Sequence, residues 1–198
     1  MPFISAILTA AGESTRMGRP KPLLPWRGVA LVEYQTASLL DAGVAEVIVV
    51  LGHRHQLVAP HVKGPGVRHV VNPDYRRGKT TSIKAGLRHI DPAATDILLL
   101  AVDQPRPPEV IAAIVTAHIQ KNALITSPRY QGHGGHPLVF SARLRDELEA
   151  ITEEKQGVRE VIQAHRAEVN RVPIDDPVVR LDINSPEEYE EARTRYGG

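Results

Sequence analysis

The sequence predicts an α/β protein with a doubly wound, mostly parallel β-sheet and helices on both of its faces. Short apolar runs recur along the chain, and they are near-continuous rather than alternating, as expected for strands that are covered on both sides. Segments with helical spacing lie between these runs, and parallel neighbours joined by helices require right-handed crossovers. A sheet of this kind binds ligands beyond the carboxyl ends of its strands.

The first two thirds of the chain supply most of this pattern. Five apolar runs are predicted to be strands, at residues 3–9, 46–51, 67–71, 96–102 and 124–126. Three helices are predicted between them, at residues 31–42, 80–90 and 108–122. The first of these helices ends before Gly43, a residue typical of helix C-termini.

The last third of the chain is less regular. The stretch "GHGGHPLVF" indicates a loop that enters a strand, followed by helices at 141–151 and 158–165 and short strands at 169–174 and 178–183. A final helix is indicated by Ser185 as N-cap, Pro186 at the first helical position and Glu188 three residues after the cap. Because no repeat, low-complexity run or linker appears, we expect one domain over residues 1–198.

Composition excludes several kinds of function. The 198 residues are 42% apolar and carry a net charge of +1, whereas dedicated nucleic-acid binders usually have a clear basic excess. The chain has no cysteine, which excludes disulfides, thiolate catalysis and cysteine-based zinc sites. No stretch is apolar enough to span a membrane, and "MPFISAILTAAG" makes a poor signal peptide. We therefore expect a soluble, cytoplasmic protein without nucleic-acid or membrane partners.

The stretch "LTAAGESTRMGRPKPLLPWRG" follows the first predicted strand and suggests a phosphate-binding loop. It contains neither the G-x-G-x-x-G fingerprint nor a P-loop, because the spacing from Gly12 to Gly18 is too long and no Gly-Lys-Ser/Thr ending follows. Small residues at Ala10, Ala11 and Gly12 nevertheless allow a ligand to approach the backbone, whose N–H groups can cradle an anion. Two nearby side chains, those of Arg16 and Lys21, would neutralise a polyphosphate.

This block resembles the signature A-A/G-G-x-S-x-R-M-G-x-x-K of the molybdopterin nucleotidyltransferase family. It is especially similar to the molybdenum cofactor cytidylyltransferases, which share "AAG…RMG…K…LLPW.G". Further segments extend the resemblance in the same order: "NPDYRRGKTTSIKAGL", "AVDQPRPP", "GHGGHPLVF" and "LDINSPEEYEEA". The chain departs from the family pattern at Ala101-Val102, His133 and Gly157. The residues that would bind the acceptor are therefore the ones that the resemblance implies least directly.

The resemblance implies a Rossmann-like nucleotidyltransferase fold and a set of site residues. The implied catalytic residues are Arg16, Lys21 and Asp103. The implied nucleotide-binding residues are Thr9, Ala10, Ala11, Gly12, Gly78 and Ser82. Gly135 and His136 are expected near the acceptor phosphate, and Asp103 and Asp182 are expected to hold Mg²⁺, with Mn²⁺ as an alternative. A zinc site at "GHRH" or "GHGGH" is disfavoured, because neither matches a fixed pattern.

The implied reaction is transfer of CMP from CTP to a molybdopterin-type cofactor phosphate, with release of pyrophosphate. The methyl group of Ala11 would crowd a purine, which favours CTP over GTP. Three alternatives remain open: use of GTP, transfer to a sugar phosphate or methylerythritol phosphate, and a non-catalytic module that binds a nucleotide and hands a cofactor to a molybdenum enzyme. The same fold also carries oxidoreductase relatives, but no redox-cofactor fingerprint appears in this sequence.

Overall fold

The computed structural model describes residues 2–197, and most of its strands form one eight-stranded sheet. In chain order its strands are β1 (Ile4–Ala10), β4 (Glu46–Leu51), β5 (Val67–Val71), β6 (Asp96–Ala101), β7 (Ile125–Tyr130), β8 (His133–Gly134), β9 (Leu138–Ser141) and β10 (Val169–Pro173). Two short strands, β2 (Pro25–Trp26) and β3 (Val29–Ala30), form a separate antiparallel ribbon.

The order across the sheet is β10-β7-β9-β6-β1-β4-β5, and β8 pairs with β7. The pairs β1–β4, β1–β6, β4–β5 and β10–β7 are parallel, whereas β9 lies antiparallel between β6 and β7. This arrangement confirms the mostly parallel sheet that the apolar runs predicted. The three predicted strands at the centre of the sheet follow the sequence pattern closely, because strands buried on both faces need near-continuous apolar residues.

Helices cover both faces of the sheet. They are α1 (Leu31–Asp41), α2 (His55–Val58), α3 (Lys79–Leu87), α4 (Pro108–Lys121), α5 (Arg145–Ala150), α6 (Val158–Ala164) and α7 (Pro186–Tyr196). Residues of α1, α4 and α7 belong to the apolar core on one face, and residues of α3, α5 and α6 belong to the core on the other. Within α3, a Cβ atom on Gly86 would lie 2.4 Å from the Ile7 side chain, so this helix can approach β1 only with glycine there.

One predicted strand, at residues 178–183, is wrong. Pro177–Arg180 form a 3₁₀ turn, in which the Asp176 carboxylate accepts a hydrogen bond from the Val178 amide at 2.8 Å. Val178 and Val179 are buried, so their apolar character reflects packing against the core rather than pairing in a sheet. Elsewhere the elements exist as predicted and their boundaries differ by a few residues; the helix predicted at 141–151 begins with a 3₁₀ turn before α5.

The helices described by the structure are too short or too polar to cross a bilayer: no segment of residues 2–197 meets both requirements. The final helix begins as the sequence indicated, with the Ser185 hydroxyl accepting a hydrogen bond from the Glu188 amide at 3.2 Å.

Candidate active site

A cleft of about 330 Å³ opens beyond the carboxyl ends of β1 and β6. This is the edge where ligands bind to open parallel sheets, because the loops that leave neighbouring strands converge there. Six of the predicted site residues line the cleft from the end of β1 and the loop after it, and three more lie further along the chain. These nine are Thr9, Ala10, Ala11, Gly12, Arg16, Lys21, Gly78, Ser82 and Asp103.

The loop after β1 is shaped by two 3₁₀ turns, Thr15–Met17 and Lys21–Leu23. The Ser14 hydroxyl accepts a hydrogen bond from the Lys21 amide at 3.0 Å and so ties the two turns together. In the described chain, the amides at residues 12–14 donate no backbone hydrogen bond, and a Cβ on Gly12 would meet no atom within 4 Å. The loop therefore offers unpaired N–H groups next to open space, which is the arrangement expected of an anion cradle.

Lys21 links three distant parts of the chain. Its Nζ donates to Asp103 Oδ2 at 2.9 Å and to Asn184 Oδ1 at 3.1 Å. Asp103 lies two residues after the end of β6, whereas Asn184 belongs to the segment that leads into α7. Asn184 was not among the predicted site residues; its signal lay in "LDINSPEEYEEA", which the resemblance had already marked as a family segment.

Asp182 lies next to Asp103, because the Ile183 amide donates to the Asp103 carbonyl oxygen at 2.9 Å. Burial and the neighbouring Asp103 carboxylate raise the pKa of Asp182, and a hydrogen bond from Gln104 Nε2 at 2.7 Å opposes this rise. The structure thus brings the two predicted metal ligands into one neighbourhood, although Asp182 does not line the nucleotide cleft itself.

A buried arginine that sequence reasoning missed supports this neighbourhood. Arg106 is fully buried, and its guanidinium donates to four backbone carbonyl oxygens, those of Pro105, His136, Val179 and Leu181. Burial lowers the pKa of Arg106 to about 10, while the charges of Asp182 and Asp103 oppose that change. Arg106 therefore remains charged at neutral pH and joins the loop after β6 to the segment that carries Asp182.

Gln35, on α1, holds the same loop from the other side. Its Nε2 donates to the carbonyl oxygens of Ala101 and Gln104, and its Oε1 accepts from the Arg106 amide. A buried glutamine on a helix carries no sequence signal of this role, because its partners are backbone groups about 70 residues away.

Two further residues that line the cleft, Tyr75 and Lys79, were not among the predicted site residues. A Cβ atom on Gly52 would lie 2.8 Å from both the Ala11 methyl and the Tyr75 ring, so Ala11, Gly52 and Tyr75 form one close-packed wall. Behind the wall, Asn72 Nδ2 donates to the hydroxyl groups of Thr81 and Ser82 at 2.9 and 3.0 Å. These contacts fix the N-terminal part of α3 against the cleft.

A second cleft of about 250 Å³ adjoins the first and shares Thr9, Lys79 and Ala101 with it. Six leucine, isoleucine and valine residues line it, together with polar groups that include His136 and Gln104. These six are Ile83, Leu99, Leu100, Leu138, Val158 and Ile162. The size and the mixed lining of this second cleft suit a small, mainly apolar ligand that carries a few polar groups.

His136 is the predicted acceptor residue that lines the second cleft. Gln104 Nε2 lies 3.1 Å from His136 Nδ1, and since an amide nitrogen can only donate, Nδ1 is the acceptor and Nε2 carries the proton. Burial lowers the pKa of His136 to about 3, and the charges of Lys79 and Arg106 act in the same direction. The imidazole is therefore neutral and has one N–H group to offer.

The other predicted acceptor residue, Gly135, lines neither of these clefts. A Cβ atom on Gly135 would lie 2.2 Å from the Val179 carbonyl oxygen, and its amide donates to the Pro128 carbonyl oxygen at 3.0 Å. The structure thus gives Gly135 a packing role beside His136.

The oxygen donors near Lys21 fit a hard divalent cation. Asp103 and Asp182 supply carboxylates and Asn184 supplies an amide oxygen, and these are the ligands that Mg²⁺ and Mn²⁺ accept. No three side chains of the His, Cys, Asp and Glu types converge as a metal-binding group within residues 2–197. A cation here would therefore complete its shell with water and with phosphate oxygens of the substrate, as Mg²⁺ commonly does.

Comparison with known proteins decides the family. The profile of the MobA-like NTP transferase domain matches residues 6–169. The chain belongs to this family. That membership confirms the resemblance seen in the loop after β1.

The relatives of this chain are named for different activities. The chain is 31% identical over 200 residues to the nicotine blue oxidoreductase of Paenarthrobacter nicotinovorans, with 95% of both proteins covered. It is 28% identical over 198 residues to the molybdenum cofactor cytidylyltransferase of Escherichia coli, which covers 99% of this chain and 98% of that protein.

A solved structure confirms the nucleotidyltransferase fold: a nucleotidyl transferase from Methanothermobacter thermautotroptrophicus superposes with a TM-score of 0.82 at 26% identity, over 98% of this chain and 97% of that one. Rv0371c of Mycobacterium tuberculosis H37Rv superposes with a TM-score of 0.83 at 28% identity, over 96% of this chain and 97% of that one. The same mycobacterial protein has also been solved in complex with manganese, and that structure superposes with a TM-score of 0.80.

Proposed function

We propose that this transferase moves CMP from CTP to the phosphate of a molybdopterin-type cofactor and releases pyrophosphate. The observation that carries the proposal is the meeting of Lys21, Asp103 and Asn184 at the mouth of the nucleotide cleft. A cation, a carboxylate and an amide oxygen from three distant segments of the chain converge there. They match what phosphoryl chemistry needs, which is positioned charge around a reacting phosphorus.

In the proposed reaction, an oxygen of the acceptor phosphate attacks the α-phosphorus of the nucleotide. The new P–O bond forms as the bond between the α-phosphorus and the bridging oxygen breaks, and pyrophosphate leaves with that electron pair. Lys21 stabilises the negative charge that develops on the α-phosphate, and the amides at residues 12–14 bind the triphosphate. Arg16, which also lines the cleft, neutralises the departing pyrophosphate.

Asp103 and Asp182 would hold the divalent cation. When bound, such a cation supplies charge neutralisation and orientation of the triphosphate oxygens. The Gln104 amide, which donates to Asp182, and the backbone contacts of Arg106 keep these carboxylates in place without substrate. The manganese complex of the mycobacterial relative supports a divalent cation in this family, and we propose Mg²⁺ here, with Mn²⁺ as the alternative.

The second cleft supports a pterin-type acceptor over a sugar phosphate. Aliphatic side chains make up much of its lining, so a flat heterocycle would bury apolar area against them, while polar side chains such as Gln104 and His136 would pair with the polar edge of the ring. The neutral His136 would donate Nε2–H to a polar edge of the acceptor. We further propose that the reaction takes place in the cytoplasm and that a molybdenum enzyme receives the product.

An oxidoreductase is the second candidate, and the similarity to the nicotine blue oxidoreductase is the observation that favours it. The grouping of Lys21, Asp103 and Asp182 favours nucleotidyl transfer, because hydride transfer develops no negative charge around a phosphorus atom that these side chains would need to stabilise. A nucleotide-binding module without catalysis would retain the cleft but would not need these three side chains together.

The deciding experiment measures pyrophosphate release by the purified chain with Mg²⁺ or Mn²⁺, one nucleoside triphosphate at a time, and molybdopterin as acceptor. We expect release that depends on both molybdopterin and metal and is fastest with CTP. Nucleotide binding without pyrophosphate would overturn the transferase function in favour of a binding module. Release with a sugar phosphate or methylerythritol phosphate, and none with molybdopterin, would overturn the acceptor.

A further inference from the structure

Three arginines surround an open depression that is distinct from both clefts. Arg129 comes from β7, Arg171 from β10, and Arg166 from the 3₁₀ turn that precedes β10. Gly132 and Ala167 complete the lining of this depression, whose volume is about 810 Å³. None of these five residues lines the nucleotide cleft or the second cleft.

The strand register fixes two of the arginines on one face of the sheet. In the parallel β10–β7 pair, Arg171 lies opposite Ser127, and Pro173 lies opposite Arg129. Residues opposite each other share a face, as do residues two apart in one strand, so Arg129 and Arg171 stand on the same side. Arg171 Nη2 donates to the Arg166 carbonyl oxygen at 3.2 Å, which holds the strand arginine against the turn that carries the third one.

The three positive charges lack compensation. Of the ion pairs found among residues 2–197, none includes Arg129, Arg166 or Arg171. The bond from Arg171 to the Arg166 carbonyl oxygen is the one hydrogen bond that the three guanidinium groups make within that part of the chain. In addition, Arg129 Nε is buried and has no hydrogen-bond partner there. Buried donors are normally paired, so an unpaired guanidinium in a depression of like charge calls for an acceptor from outside.

Glycine makes room for the Arg129 side chain. A Cβ atom on Gly134, in the short strand β8, would lie 3.2 Å from Arg129 Nη1, which is tighter than an ordinary contact. The hairpin of β7 and β8 therefore packs directly over the guanidinium and limits where it can point.

We propose that Arg129, Arg166 and Arg171 form a binding site for a phosphate-class oxyanion, separate from the reaction cleft. Guanidinium groups bind phosphate through paired, charge-assisted hydrogen bonds. Three such groups around one depression suit the several oxygens of a phosphate better than the two oxygens of a carboxylate. The ligand is either free phosphate or the phosphate of a small metabolite.

The test follows the arginine Nε–H signals of the ¹⁵N-labelled full chain by NMR while inorganic phosphate replaces chloride at constant ionic strength. Loss of one signal in Arg129→Gln assigns the reporter. We expect a saturable shift of the Arg129 signal, and a dissociation constant raised by about tenfold or more, or ~1.4 kcal/mol, in the Arg166→Gln/Arg171→Gln double variant. Arg88→Gln, which removes an exposed charge on another part of the chain, is the matched control and should bind as the wild type does.

Three further arms make the result decisive. Acetate should leave the signal in place; an equal effect of acetate would overturn the phosphate class. Glycerol 3-phosphate should also shift it, and tighter binding than inorganic phosphate would assign the site to a phosphorylated metabolite. Pyrophosphate release should be unchanged in the double variant. A lower rate would show that the three arginines contribute to substrate binding, and it would overturn the separate site. A shift that never saturates, or that is unchanged in the double variant, would reduce the effect to charge screening and overturn the site.

Discussion

Lys21 and Asp103 form an ion pair of 2.9 Å across 82 residues of chain, at the mouth of the nucleotide cleft. The Lys21 side chain is 14% exposed and that of Asp103 is 26% exposed, so water reaches both partners. A pair of this kind contributes little to stability, because solvent screens it and ordering a lysine costs entropy. We therefore propose that the pair serves the chemistry of the cleft, and two predictions separate the roles of its members.

Replacing Lys21 by alanine should slow the chemical step more than it weakens nucleotide binding. The lysine charge is needed most when negative charge builds up around the α-phosphorus, whereas the backbone cradle continues to bind the triphosphate. We expect a loss of roughly a hundredfold or more in the single-turnover rate at saturating CTP. Lys121→Ala, at the exposed end of α4, is the matched control. An unchanged single-turnover rate in Lys21→Ala would contradict the assignment.

Replacing Asp103 by alanine should abolish turnover and leave the fold intact. The side chain is partly exposed and follows β6 rather than lying in its core, so its loss removes a proposed metal ligand without opening a cavity. Pyrophosphate release measures the activity, and circular dichroism with urea denaturation measures the fold. Asp146→Ala, on the exposed side of α5, serves as control. A folded variant with full activity would remove Asp103 from the site.

The sheet and its helices could be predicted from the sequence because each depends on local patterns. Near-continuous apolar runs such as 46–51 admit few interpretations, and the cap at Ser185 with Glu188 is a local signal as well. The segment 178–183 misled because Val178 and Val179 are buried by packing, and a short apolar run does not distinguish packing from strand pairing. The antiparallel placement of β9 depends on long-range contacts that no local pattern contains.

The residues of the candidate site likewise fall into those that the sequence predicts and those that it does not. Motif residues such as Lys21 and Asp103 could be found from the sequence, since the residue types and spacing carry the chemistry. Arg106 and Gln35 could not be found from the sequence, because their partners are mostly backbone carbonyl groups of distant segments. Every residue has a backbone carbonyl group, so the side chains of those segments do not mark them as partners. The three arginines around the open depression were missed for a related reason: they come together through the β10–β7 pairing, which was not predicted.

The choice of base should respond to Ala11. Its methyl group packs with Gly52 and Tyr75 into one wall of the nucleotide cleft, so removing it enlarges the cleft where a purine would otherwise be crowded. We expect the wild type to use CTP in preference to GTP and Ala11→Gly to narrow that preference by roughly tenfold, or ~1.4 kcal/mol. Competition between CTP and GTP in one reaction measures the ratio directly.

The control for this experiment is Ala150→Gly, which makes the same change at the exposed end of α5. It should leave the CTP-to-GTP ratio unchanged. If the wild type used GTP faster than CTP, the base assignment would be overturned, and an unaltered ratio in Ala11→Gly would remove the methyl group as the selecting element.

Glu46 gives the fold a defined sensitivity to acid. It is buried at the start of β4, where Ser5 Oγ and Arg68 Nη2 each donate to its carboxylate at 2.7 Å and the Asp91 amide donates as well. Burial alone would raise the pKa of Glu46, but these hydrogen bonds outweigh it and lower the pKa below the usual 4.5. A depressed folded-state pKa contributes stability that is complete above the unfolded value and is lost as the pH falls through the folded one.

We therefore expect Glu46→Gln to lower the free energy of unfolding at neutral pH by about 1–3 kcal/mol, since a neutral amide cannot accept all three donors. The difference between wild type and variant should begin to shrink below about pH 4.5, where Glu46 of the unfolded chain becomes protonated, and should be lost as the pH falls through the lower pKa of the folded state. Urea denaturation across a pH series measures both effects, and Glu191→Gln, an exposed residue of α7, controls for the loss of one charge. A constant difference across the series would show that Glu46 acts through packing and not through its charge.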